Sequence, residues 1–258
     1  NREVLGEYLK NPESAVKEGI ENIARRWVGR EHADVLIEAW DLAERAYTTR
    51  PMWTHSLVNK PLHVGPLVPD PDGISREEMA YVWHQAWDDL ESLPDRHRLQ
   101  RIGIADEADR TWILETYREV TLPTLEKSEG LLRAAVASGA EEHSERCLNE
   151  QADHIRSFTL WLRGMYNWIE AGAYLLPGEG TPHPRRKFGQ IVDEEIARTE
   201  ELLKLYSGRG ERFVHTADVH GTLHGYSPQF LEQLSERIEV MKRHRNDTIV
   251  PIALGAKV

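Results

Sequence analysis

The sequence predicts an all-α protein, an irregular bundle of about seven helices joined by long proline-rich and His/Gly-rich loops. Three observations carry that prediction. Apolar residues recur at intervals of three and four along most of the chain, the spacing of a buried helical stripe. Asn, Ser and Pro stand where those stripes begin, and Gly or Pro where they end. Strand-type alternation is missing, and no repeat period is evident.

The first helix starts with Asn11 as N-cap and Pro12 at the first helical position, where neither needs an intrahelical N–H partner. Val16, Ile20, Ile23, Ala24 and Trp27 make its apolar face, and Gly29 ends it. Leu36, Ala39, Trp40, Ala43, Ala46 and Tyr47 line a second helix that closes between Thr48 and Pro51. The short link predicts an antiparallel hairpin over 11–50. From Pro51 to Gly73 five prolines and two glycines forbid a continuous helix, yet the stretch is too apolar for a disordered linker. It reads as a strap crossing between the hairpin and the rest.

Ser75 and Glu78 form an S-x-x-E capping box ahead of Met79, Val82, Trp83, Ala86, Trp87 and Leu90, and Pro94 breaks that helix. A long helix from about Ala105 to Ser138 contains Pro123, which predicts a kink or a split. The pattern is cleanest from Ala140 to about Leu175. There Phe158, Trp161, Leu162, Met165, Trp168 and Ile169 fall on one face. After a Gly/Pro loop, Phe188 to Tyr206 carries another stripe ended by Gly208. Arg209 to Tyr226 is irregular and rich in His and Gly, and Ser227 and Pro228 restart a helix with Phe230, Leu234, Ile238 and Met241. The domain reading is a single helical domain over 1–258: the hairpin 11–50, the crossing segment 51–73, the main bundle 74–247 and an extended tail 248–258.

Composition narrows the partners. A net charge of −11 opposes a nucleic-acid surface, which needs clustered Lys and Arg, and it opposes attraction to anionic membranes. No apolar run approaches the ~18–20 residues of a spanning helix. The single Cys147 rules out an intrachain disulfide framework. No leader pattern opens the chain, so a cytoplasmic location is the expectation. The abrupt start at Asn1 reads as a piece of something longer.

Several clusters could carry chemistry. His215, His220 and His224, with Asp218, make H-x-x-D-x-H-x-x-x-H, and three histidines could hold zinc with an open position. The spacing fits no zinc helix such as H-E-x-x-H, and Gly221 and Gly225 interrupt it, so a hydrogen-bonded polar loop is the plainer reading. Glu142, His143, Glu150 and His154 share a helix, but a di-iron bundle needs Glu-x-x-His from two. Asp193, Glu194 and Glu195 lie early in their helix, where the macrodipole favours acids. Arg185 and Arg186, beside His183, form one compact basic cluster that could bind a carboxylate or phosphate, or pair with an acidic helix. Cys147 reads as an inert buried thiol. Trp53, with His55, Asn59 and His63, offers the flat apolar face and donors of a sugar-binding edge, against plain core packing of the same ring. Neither a G-x-S-x-G, a P-loop nor a G-x-G-x-x-G is present.

Tyr8-Leu9-Lys10-Asn11-Pro12, Ala24-Arg25-Arg26-Trp27-Val28-Gly29 and Ala39-Trp40-Asp41-Leu42-Ala43-Glu44-Arg45-Ala46 resemble the helical region that follows the (β/α)₈ barrel of glycoside hydrolases. Gly65-Pro66-Leu67-Val68-Pro69 is similar to the proline-rich crossing of such proteins. Asp193 to Thr199 and Leu231 to Arg243 are similar to the C-terminal part of α-glucuronidase-like enzymes. The resemblance covers about half the chain and rests on helix-packing patterns. It implies a helical C-terminal module that buttresses an upstream catalytic barrel of the same protein. Such a module would contribute to a carbohydrate substrate rim or a homodimer interface.

The family's catalytic carboxylates belong to the barrel, so no catalytic residue is carried over and no cofactor is expected. Trp53, His55, Asn59, His63, Arg185 and Arg186 are the rim candidates. Two alternatives stay open: a self-contained metal-dependent helical enzyme using His215, His220 and His224, and a helical protein-interaction module.

Overall fold

The computed structural model describes Gly6, Leu9 and residues 16–49, 66–70, 73–75, 78, 107–175, 185–208 and 230–251. Most of those residues are helical, with no strand among them. The helices are α1 (Val16–Thr49), α2 (Glu107–Thr116), α3 (Leu122–Ala137), α4 (Glu142–Leu175), α5 (Phe188–Ser207) and α6 (Phe230–His244). A π-helical turn, Tyr117–Thr121, makes α2 and α3 one continuous stretch, so five helical stretches stand among the described residues. The all-α class is therefore what the chain adopts; the helix expected over 79–90 lies outside the described residues. None of these helices is long and apolar enough to cross a membrane.

The residues divide into two compact units, one made of 1–50 and 118–159, the other of 51–117 and 160–258. In the first, α1 is not straight. Gly29 has φ 73° and ψ 174°, an extended positive-φ conformation that is open to glycine and costs an L side chain about 1–3 kcal/mol. Its effect is visible in two rings. Thirteen residues of unbroken helix would hold Trp27 and Trp40 about 20 Å apart, but their centroids lie 5.7 Å apart, edge to face. The chain thus kinks sharply at Gly29. Ile23, Ala24, Val28, Leu36 and Ala39 are buried on the inner side, where α1 packs on α3. Val16 and Tyr47, although on the predicted stripe, stay largely exposed.

Contacts between helices of this unit are polar as well as apolar. Ser128 Oγ on α3 donates to the Ala39 carbonyl (2.6 Å), filling an acceptor that the helix bond leaves with a spare lone pair. Trp40 Nε1 donates to Gln151 Oε1 on α4 (3.0 Å), and Tyr47 lies against Phe158. Arg133 on α3 donates to Asn149 Oδ1 (2.9 Å) and to the buried carboxylate of Asp153, both on α4.

Pro123 neither splits nor ends its helix. Proline lacks an N–H for the carbonyl four residues back and its ring crowds that carbonyl. The chain answers by widening to π geometry over Tyr117–Thr121, the turn just upstream, and α3 continues. At the far end Gly139, with φ 98°, donates its N–H to the Val136 carbonyl and stops α3.

In the second unit, the C-terminal half of α4 packs with α5 and α6 around Leu160, Trp161, Leu202, Tyr206 and Leu234. Trp161, Leu162, Met165, Trp168 and Ile169 are all buried, as the 3.6-residue period requires. Ser75 and Glu78 make the reciprocal capping bonds: the Ser75 N–H donates to Glu78 Oε2 (3.1 Å) and the Glu78 N–H to Ser75 Oγ (3.2 Å). Glu78 also accepts from Arg243 at the end of α6, and the Val250 N–H donates to the Pro69 carbonyl (2.9 Å).

Candidate functional site

The second unit holds a buried polar network that threads α4, α5 and α6. At its centre is Glu195, fully buried on α5. Its Oε2 accepts from Arg198 Nε (2.9 Å) and from Asn167 Nδ2 (3.0 Å), and its Oε1 accepts from Arg198 Nη2 and from Arg237 Nη2 (2.9 Å). Arg237 comes from α6 and is 2 % exposed. Arg198 also donates to the Leu160 carbonyl (3.2 Å) and to Thr199 Oγ1 (3.0 Å), and its guanidinium lies 5.7 Å from the Trp161 ring centroid. Gly164 makes that position accessible. A Cβ there would sit 2.9 Å from Arg198 Cζ, closer than real contacts allow.

Burial alone would raise the Glu195 pKa. The charges of Arg198 and Arg237 and the hydrogen bonds from Arg198 and Asn167 outweigh it and hold the carboxyl below its usual range. Burial drops Arg237 to about 10, against the pull of Glu195 and together with the repulsion of Arg198. Glu195 and Arg237 are both charged at neutral pH.

Asn167 passes the network on. Its Oδ1 accepts from Arg186 Nη2 (3.0 Å), and Arg186 also pairs with Glu170, buried on α4, and with Glu194. Glu170 Oε1 accepts the backbone N–H groups of Arg185 (3.2 Å) and Arg186 (3.1 Å), and Tyr174 Oη donates to the Arg186 carbonyl (2.9 Å). One carboxylate thus fixes the chain entering α5 by both backbone and side chain. Of the two basic rim candidates, Arg186 is enclosed in this clamp and over Tyr166 (5.3 Å), while the Arg185 side chain is exposed.

Trp53, His55, Asn59, His63, His215, His220 and His224 lie outside the described residues. Among the described residues no three His, Cys, Asp or Glu side chains converge as a metal set. Glu142, His143, Glu150 and His154 all fall on α4. His154 is pulled below the usual histidine pKa by desolvation, with Asp153 and Glu150 opposing. Cys147 is partly exposed, not the enclosed thiol expected from its sequence. Desolvation and then the charge of Glu150 raise its pKa, with Arg146 opposing.

Arg237, like Asn167, Glu170 and Arg198, is a member of the network that no sequence pattern indicated. It is 42 residues from Glu195. The signal available was a charged residue on the apolar side of α6, between Leu234 and Ile238. Comparison with protein-family models, curated proteins and solved structures finds no match to this chain.

Proposed function

We propose that this chain is a helical accessory module of a carbohydrate-active enzyme, buttressing a catalytic (β/α)₈ barrel and contributing at most a rim to the substrate site. One observation supports the reading. The three carboxylates buried among the described residues, Asp153, Glu170 and Glu195, are each paired with arginine between two elements: Arg133, Arg186, and Arg198 with Arg237. A glycosidase needs a carboxylic acid whose pKa is raised so that it can protonate the leaving group, beside a second carboxylate at about 5–10 Å. Glu195 has the opposite environment. These acids brace helices.

Within this reading Arg185 is the rim residue among the described ones, since its guanidinium is exposed while its backbone is fixed by Glu170. Turnover tests the proposal. The chain, incubated with aryl glycosides and α-glucuronosides, should release no product; hydrolysis that scales with chain concentration and survives repurification refutes it. In the longer protein, Arg185→Ala should raise KM for the saccharide with little change in kcat, and a drop in kcat alone would contradict a rim role.

A further inference from the structure

We draw no further inference here: the strongest candidate, the side-chain cluster at the C-terminal end of α6 where His244 lies between Asp247 (Nδ1 to Oδ2, 2.7 Å) and Glu78 (Nε2 to Oε1, 3.5 Å) with Arg243 on the same Glu78, consists of acids and bases that pair with one another, and nothing among the described residues shows a ligand or partner that they would take.

Discussion

Glu195→Gln removes the one negative charge between two buried guanidiniums while keeping the side chain's length. Arg198 and Arg237 then remain in the core with no counter-charge on either of the carboxylate edges they share (2.9 Å from Arg198 Nε, 2.9 Å from Arg237 Nη2). Breaking a buried ion pair from one side costs about 3–5 kcal/mol, because the stranded charge loses its partner without regaining water. With a urea slope of about 2 kcal/mol/M, the unfolding midpoint should fall by about 2 M. Native-state hydrogen exchange assigns the loss, since α5 and α6 amides should lose protection while those of α1 keep theirs.

The pH dependence follows from the same carboxylate. Its folded pKa lies below the ordinary value of about 4.3. The unfolded chain therefore binds the proton more readily, and the ion network's contribution is present above about pH 4.3 and lost as pH falls through the folded pKa. The stability gap between parent and variant should close on acidification. An unchanged midpoint, or a gap that is independent of pH down to the acid transition, would refute the account of Glu195 as a charged brace.

Three further outcomes are expected. Gly29→Ala should destabilise the first unit by about 1–3 kcal/mol, the cost of an L residue at φ 73° and ψ 174°, read as a lowered melting temperature. Gly164→Ala should cost about 1–3 kcal/mol by displacing the Arg198 guanidinium. The loss should be much smaller in an Arg198→Met background, where the clashing group is gone. Arg186→Ala should destabilise by about 3 kcal/mol by stranding the buried Glu170, whereas Arg185→Ala, which removes only an exposed side chain, should leave the midpoint within about 0.5 kcal/mol.

Local rules were legible where local physics decides. Trp161, Leu162, Met165, Trp168 and Ile169 repeat at the helical period, so their burial on α4 followed from spacing alone. The Ser75–Glu78 box closes within four residues and needs no tertiary partner. Glu195 was different. Asp193, Glu194 and Glu195 lie past the first turn of α5, beyond the reach of the macrodipole expected to favour them, and only Glu195 is buried. What singles it out is Arg237 on another helix, a partner no window around residue 195 contains. Arg186 follows the same logic. A basic cluster reads identically whether it meets a ligand or an internal Glu, and Glu170 lies sixteen residues upstream on α4. Pro123 predicted a disturbed helix but not its form, because widening to π geometry depends on neighbours holding both flanks in place.

The two units are interleaved along the chain, since 51–117 separates the two parts of the first. On the ribosome, α1 emerges long before α3, the helix it packs on. About seventy residues intervene, and at roughly 5–20 residues per second the nascent α1 waits several seconds for that partner. Through that interval the edge-to-face contact of Trp27 and Trp40 is one that α1 can make from its own sequence, before α3 exists to receive it.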